Sequence, residues 1–504
     1  MAANPAPSAA AEASSAPRCE RRPSRLAPAA VAALVSAVLI GVSQTFACHP
    51  DEGFHLVAAH LINAGKKPYL DFFYQHAPLF AYLNAGWMRL AGESWRSAHL
   101  FSALLAIGSI LLAANFVFDR LPDQAWRPAG AAAAALLAGL HLLVIEQCTV
   151  GLAYGLCLFL LVAAFCLAVE AVDRRSWAWP FGAGLAAGAA ASASLLAAPA
   201  GVVLLAWLMR RKSNDGRLRR MLLFAAGGMI PFLPLLWLAA LAPRQTLFDV
   251  IEYHLFYRPA SPAAAVHDLK ALIGLVDSSQ GALLVLLACL GLLFVAGQKD
   301  WEPRRRAEFR LCAWLVGSIG AWAAAARPTF SSYFVLVVPF MAILAAIGVY
   351  AIGSRVATSL RPAWLVVPLA GIFALPTARV LVSHYRHPQF FWREIDAIAR
   401  EVNRVTPKDG RVWSDEFVSF AARRSPPEGL ENYNSQYLRV PPALAASLHV
   451  EPLDQLEAQL AAARFDTVVT CQSDAALAKL DWPRAYARRE TAAGCYIFSD
   501  KVAR

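Results

Sequence analysis

Eleven long apolar runs constrain this chain more than any other feature. They fall at about residues 27–47, 98–118, 129–146, 149–171, 177–195, 196–209, 221–241, 280–297, 311–326, 329–352 and 363–381. A helix needs about 20 such residues to cross the hydrocarbon core of a bilayer. In lipid the backbone must satisfy its own hydrogen bonds, which leaves helices or a closed barrel. The runs are continuous rather than alternating, which argues against a barrel. Composition agrees: 58% of the residues are hydrophobic and 16% charged, against about 45–50% and about 25% in soluble domains. The expected fold is a polytopic α-helical membrane protein of about 11 transmembrane helices, with a soluble C-terminal α/β domain. Nine scattered cysteines are too few for a disulfide scaffold. The runs between Trp177 and Met209 are short, and Gly184-x-x-x-Gly188 there suits close helix packing.

The net charge of +11 is carried entirely before residue 382, because the rest of the chain holds 16 basic and 16 acidic residues. A nucleic-acid reading would need a soluble basic patch with interleaved aromatics. Here the basic residues sit between spans, where they set topology. With the N-terminus inside, 21 Lys and Arg fall on the inner side and 8 on the outer side. An odd number of spans then puts the C-terminal region outside, in the periplasm of a bacterial inner membrane. Residues 1–26, rich in Ala, Pro and Ser, read as a disordered cytoplasmic tail. The run from Leu26 to Ala47 reads as an uncleaved first helix rather than a signal peptide. Residues 27–381 form the transmembrane domain and 382–504 the periplasmic one. In the latter, Phe391 to Val405 is an amphipathic helix with Ile395, Ile398, Val402 and Val405 on one face. Strands are expected at 411–413, 466–470 and 496–498, with a helix at 453–463. Cys471 and Cys495 lie next to strands and could be a disulfide or two buried thiols.

Two outer loops are long, 48–97 and 242–279, and function tends to sit in such loops. The first begins Cys48-His49-Pro50-Asp51-Glu52-Gly53-Phe54-His55. Phe54, Val57, Ala58, Leu61 and Ile62 then form one apolar face, and Gly65 ends the helix. Such a helix is expected to lie flat on the membrane. Pro78 can open a second one. Asp51-Glu52 has two readings. The pair could cap a helix N-terminus. Alternatively, a carboxylate held at the lipid boundary is partly desolvated, which makes it a better base. His55, His76, Lys66 and Lys67 share the loop and could bind an anion with a lipid tail.

The string from Pro50 to Leu83 resembles the first outer loop of lipid-dependent GT-C glycosyltransferases. These include the protein O-mannosyltransferases, the lipid A aminoarabinose transferase and the bacterial family 39/83 group. The matching positions are Asp51-Glu52, Gly65, Tyr69, Asp71 and His76-Ala77-Pro78. Arg327 to Tyr333, ahead of Pro339, is similar to the family's Arg-x-x-x-His-Tyr entry to a late span, with Ser332 in place of the His. The resemblance implies a polyprenyl-phosphate sugar donor, an envelope glycan, lipid or protein acceptor, and inversion at the anomeric carbon. It implies Asp51 as base and Glu52 as a residue that orients the acceptor or joins a metal site; a divalent metal ion is a candidate cofactor. A leaving phosphate needs positive charge around it, for which Arg258, Arg327 and His76 are candidates.

Glu146 sits in an expected tight turn on the outer side. It reads either as a solvated turn residue or, by resemblance, as the second acidic residue of these enzymes. Tyr253, His254 and Arg258 in the second loop, and Tyr333 in the late motif, suit sugar and phosphate. The loop cluster equally suits an aromatic belt with a snorkelling Arg. His141 is expected to be a helix-packing hydrogen bonder. No zinc spacing, Walker A loop or GxGxxG stretch occurs. Two other function classes remain. A lipid-linked glycan flippase would want charges along a path inside its spans. An envelope-assembly scaffold would be indifferent to Asp51.

Overall fold

The computed structural model describes residues 24–45, 48–174, 176–210, 216–257, 262–356, 364, 366–386 and 391–502. The tail before residue 24 and Arg258 lie outside these. The elements that build the membrane part begin with α1 (Leu26–Thr45), α2 (Glu52–Asn63), α3 (Leu79–Ala91), α4 (Trp95–Arg120), α5 (Arg127–Gly139), α6 (Leu142–Cys148) and α7 (Tyr154–Ala171). They continue with α8 (Ala178–Ala193), α9 (Ala198–Met209), α10 (Arg217–Met229), α11 (Leu233–Leu241) and α12 (Pro243–Leu247). A π-helix (Phe248–Tyr257) leads to α13 (Pro262–Asp277), α14 (Ser279–Gly297) and α15 (Pro303–Ala325). A 3-10 turn (Ser331–Val337) precedes α16 (Val338–Val356) and α17 (Val366–Arg386).

Among the described residues, seven helices are long and apolar enough to cross a membrane. These are α1, α4, α7, Arg217–Leu241, α14, Ser331–Val356 and Val366–Ser383; α5 with α6 makes an eighth if its 57° bend is one broken span. The runs expected at 177–195, 196–209 and 311–326 are also helical. The first two helices are short, and α15 opens on Arg304-Arg305-Arg306, so eleven crossings are not reached by length and hydropathy. The bend after α5 is held by Gln280, together with Thr377, whose hydroxyl donates to the Leu140 carbonyl at 3.0 Å. Gln280 Oε1 accepts the Leu142 amide at 2.8 Å, and its Nε2 donates to the Phe373 carbonyl at 2.6 Å and the Leu140 carbonyl at 3.2 Å. His141 caps α6 by accepting the Leu143 amide at 3.3 Å, and its ring lies 6.3 Å from that of Phe373 in α17.

The small-residue stripe packs as expected. A Cβ on Gly184 would meet the Phe224 carbonyl at 1.9 Å, and one on Gly188 the Gly228 carbonyl at 2.1 Å, so α8 and α10 touch backbone to backbone. At the opposite end of α4 from the first outer loop, Arg120 pairs with Glu170 at 2.6 Å and with Glu308 at 3.3 Å, tying α4 to α7 and α15.

The C-terminal part starts with α18 (Trp392–Val405), β1 (Val412–Trp413) and α19 (Glu416–Ala421). After α20 (Pro442–Ser447) and α21 (Leu453–Ala461) come β2 (Thr467–Thr470), β3 (Tyr486–Ala492) and β4 (Cys495–Lys501). The strands order as β1-β2-β4-β3, with β1 parallel to β2 and the rest antiparallel. Three expected strands are present; β3 is an addition. It is a polar edge strand, and an Ala493-Gly494 turn with positive φ at both residues folds it against β4. Cys471 and Cys495 form a disulfide.

One apolar cluster crosses the boundary between the two parts. Phe54, Leu56, Val57 and Leu61 of α2 pack with Trp392 and Ile398 of α18, Val418 and Phe420 of α19, and Ile497 of β4. Nearly the whole of α2 is therefore buried. The helix expected to lie on the bilayer is instead roofed by the C-terminal domain, because both of its sides carry apolar or small residues.

Candidate functional site

Asp51 and Glu52, adjacent in sequence, have opposite environments. Asp51 occupies the position before α2, is exposed, and makes no side-chain capping bond. Its amide donates to His49 Nδ1 at 3.1 Å. His49 Nε2 lies 3.4 Å from Gln147 Nε2 of α6; a neutral imidazole has one acceptor nitrogen, so it accepts from only one of these two donors at a time. Burial pushes the His49 imidazole below its ordinary range, although Asp51 and Glu52 oppose this. The helix-cap reading of Asp51 thus lacks its defining hydrogen bond.

Glu52 is fully buried and fully engaged. Its Oε2 accepts the Gly151 amide at 2.8 Å and faces His99 Nε2 at 2.9 Å; its Oε1 accepts Trp392 Nε1–H at 3.0 Å. His99 Nδ1 lies 2.9 Å from the Ser43 carbonyl, so that nitrogen carries a proton. The carboxylate thereby ties together α1, α2, α4, the 149–153 loop and α18. Gly151 N–H and Trp392 Nε1–H are its two fixed donors, and with Nδ1 protonated the His99–Glu52 contact is closed by one further proton shared between Nε2 and Oε2. Removing a partner from a buried carboxyl group exposes its desolvation cost. Trp392 is itself stacked on Trp95, with centroids 5.4 Å apart and planes 6° apart.

Gly53, the next residue, is a point of close approach. A Cβ there would sit 2.9 Å from Glu416 Cβ and 3.4 Å from the Phe417 ring. This brings α19 of the C-terminal domain against the first turn of α2. Glu416 is buried, accepts the Tyr433 amide, and is reached by the charges of Asp415 and Asp51. Burial pushes its carboxyl up to about 7.

The imidazoles of the first outer loop gather on the same side. His55 Nδ1 and the Tyr74 hydroxyl are 2.8 Å apart. Burial pushes His55 down to about 3, so it is neutral. The His76 ring stacks on Phe54 at 5.5 Å, and lies 5.2 Å from His55 and 5.7 Å from His254. His254 Nε2 donates to the Gln75 carbonyl at 2.6 Å, which joins the π-helix to the first loop. Beside it, Asp249 Oδ2 accepts the Tyr74 amide at 3.0 Å, and burial holds this carboxyl well above the usual range. π-helical turns occur often at functional sites.

The other expected residues are placed less uniformly. Glu146 lies on α6 rather than in a tight turn and is half-buried; its neighbour Gln147 is the group beside His49. Tyr154, at the start of α7, hydrogen-bonds Ser332 and lies within electrostatic reach of Asp51 and Tyr333. That contact draws the late Arg327–Tyr333 segment toward Asp51. Arg327 is exposed, while Tyr333 packs partly against the membrane core. Tyr253 is buried in an aromatic cluster, 5.5 Å from Phe73. Lys66 acts on the Glu431 carboxyl of the C-terminal domain, and the Lys67 amide donates to Asp71 Oδ2 at 2.7 Å. Among the described residues, no group of three or more His, Cys, Asp or Glu side chains could hold a metal ion. His49, His99, Trp392 and Glu416 were not singled out from the sequence. His99 alone carried a signal, a polar residue within an apolar run.

No protein-family model matches the sequence, and a search of curated proteins finds no match. Solved structures do match. ArnT from Cupriavidus metallidurans, bound to undecaprenyl phosphate, superposes with a TM-score of 0.62 at 16% identity, covering 93% of this chain and 97% of that one. Its apo form gives a TM-score of 0.57 at 15% identity over the same shares. The Archaeoglobus fulgidus oligosaccharyltransferase, in a complex with Zn and sulfate, gives 0.52 at 14% identity, covering 88% of this chain and 67% of that one. The chain shares its fold with these structures.

Proposed function

We propose that this protein is an integral-membrane glycosyltransferase that moves a sugar from a polyprenyl-phosphate donor to an envelope acceptor on the periplasmic face. The observation that carries the reading is the contrast at the start of α2: an exposed Asp51 with no capping bond, beside a Glu52 locked by three protein groups. The fold likeness to a protein crystallised with undecaprenyl phosphate supports the donor class.

In the proposed step the acceptor hydroxyl or amine gives its proton to Asp51. Its freed electron pair forms the new bond at the anomeric carbon. The anomeric C–O bond breaks on the opposite face, and its electron pair leaves with the polyprenyl phosphate, inverting the carbon. Glu52 fixes the turn that carries Asp51, since positional error at a reacting group costs rate. His76 and Arg327 supply positive charge or hydrogen-bond donors to the departing phosphate. Glu146 and Tyr154 border the acceptor side. The reading routes no step through a metal ion.

Mass spectrometry of envelope glycans, lipids and glycoproteins, with and without the gene, tests the reading. The expected result is one hexose- or pentose-type substituent missing from one acceptor, with its lipid-linked donor accumulating. An unchanged envelope with unchanged lipid-linked sugars overturns it.

A further inference from the structure

We infer that Tyr433, Tyr437 and Asn432 of the C-terminal domain form a subsite for a sugar ring of a saccharide acceptor. This rests on the transferase reading above and deepens it by naming the acceptor class.

The observations begin with two rings that the domain leaves open. Tyr433 and Tyr437, on one short 3-10 helix, are 48% and 57% exposed, and they pack edge to face at 5.2 Å with their hydroxyls hydrogen-bonded to each other. That mutual bond fixes both rings as one aromatic wall. The C–H face of a pyranose is apolar and flat, and binding sites combine such aromatic walls with a few placed polar groups. The polar group is adjacent. Asn432 is only 2% exposed, its Oδ1 accepts the Asn434 amide at 2.9 Å, and its Nδ2 has no hydrogen-bond partner among the described residues. A buried amide nitrogen with its donors unspent is costly unless something uses them. Glu431 is buried beside it; the amides of Gly429 and of Glu431 itself approach the carboxyl, yet neither oxygen closes a hydrogen bond of normal geometry. Glu431 and Asn432 immediately precede Tyr433 in the chain, so a buried carboxyl and a buried amide donor accompany the exposed rings, a combination that suits the alternating C–H and O–H surface of a saccharide. A lipid surface would leave those polar groups unsatisfied.

Position argues for an acceptor rather than an unrelated ligand. The Tyr433 amide donates to Glu416, and Glu416 abuts Gly53, two residues from Asp51. The shared apolar cluster and the Trp392–Glu52 bond fix the domain on the outer loop. The wall is therefore held at a constant offset from the proposed base. Remote contacts of this kind hold a substrate so that its reacting group stays in place.

The test uses the full chain in nanodiscs and, as probe, delipidated oligosaccharides released from the envelope. Saturation-transfer NMR and acceptor saturation curves are recorded for the parent, Tyr433→Ala, Tyr437→Ala and Tyr437→Phe. Both Ala variants should raise half-saturation by roughly three- to tenfold, the worth of one aromatic contact, and lose saturation transfer. Turnover at saturating acceptor and undecaprenyl-phosphate binding should stay at parental values. Tyr437→Phe, which keeps the ring and loses only the bond between the two hydroxyls, should retain saturation transfer and fall between the parent and Tyr437→Ala in half-saturation. Should an Ala variant fail to fold, Tyr437→Leu keeps bulk without a ring and should show the same loss. Parental half-saturation and saturation transfer in the Ala or Leu variants overturn the subsite and leave the transferase reading standing. A parent that transfers nothing removes the transferase reading, and its own saturation-transfer signal then decides the subsite alone. Broadening of 3-fluorotyrosine at position 437 by spin-labelled lipid would assign the rings to the membrane interface and overturn the subsite.

Discussion

Replacing Trp392 by Phe probes one of the hydrogen bonds that join the C-terminal domain to the rest of the molecule. An aromatic ring remains to face Trp95, whose ring centre lies 5.4 Å from that of Trp392. The indole N–H is lost, and with it the donor 3.0 Å from Glu52 Oε1, together with part of the buried ring volume, a packing cost that the double-mutant cycle below cancels. Glu52 is completely buried, so that oxygen cannot turn to bulk water. Leaving a buried acceptor without its donor costs about 1–3 kcal/mol, more when the acceptor is charged. Thermal unfolding in one detergent, followed by tryptophan fluorescence, should show the variant melting below the parent. The diagnostic measurement is a double-mutant cycle with Glu52→Gln. A Gln is uncharged, so the oxygen that Trp392→Phe leaves without its donor costs less in that background, with a coupling of about 0.5–3 kcal/mol. Equal costs in both backgrounds would refute the claim that this hydrogen bond anchors the domain.

Gly53→Ala places a methyl 2.9 Å from Glu416 Cβ. It should destabilise by about 1–3 kcal/mol through overpacking, seen as a lower unfolding midpoint and faster proteolysis of the C-terminal domain. Glu416 sets a pH dependence. Its folded carboxyl holds a proton up to about 7 because of burial, against an ordinary value of 4.5. The stability this gives is present below pH 4.5 and is lost as pH rises through 7. Glu416→Gln should therefore flatten the fall in unfolding midpoint between pH 5 and pH 8; an unchanged slope would contradict the buried assignment. For the phosphate, Arg327→Ala should lose about 10²–10³ in rate with normal stability, and Arg327→Lys should recover part of it, because Lys lacks the planar fork. Parental turnover in Arg327→Ala would leave Arg327 as an exposed topology residue.

The helices were legible because apolar length is written locally: each of the eleven expected runs is helical over most of its described residues. The crossing count was not, since Ala178–Ala193 and Leu195–Met209 are shorter than a span and α15 begins with a basic cluster. The α18 face at Ile395, Ile398 and Val402 was readable from its period and is buried as expected. β3 was missed because its Arg488-Arg489-Glu490 centre is an exposed edge with no apolar alternation. At the site, Asp51 and Glu52 could be picked as a pair but not told apart. Their difference depends on His99, Gly151 and Trp392, which lie 47, 99 and 340 residues from Glu52. The roofing of α2 was invisible for the same reason: an amphipathic helix does not declare whether lipid or another domain covers it. Gly53 carried no sequence signal, and its reason is the approach of Glu416 from the far end of the chain.

The central claim is that Asp51 takes the acceptor's proton, and Asp51→Asn tests it most directly. Asn keeps the size and much of the hydrogen bonding of the exposed Asp51 side chain but cannot accept the proton. The assay is transfer by purified protein in nanodiscs, with a labelled polyprenyl-phosphate sugar as donor and envelope extract as acceptor. A positioned base is worth roughly 10²–10⁴ in rate. The account predicts a loss of that size, with donor binding and unfolding midpoint at parental values. Transfer at the parental rate by Asp51→Asn would contradict it.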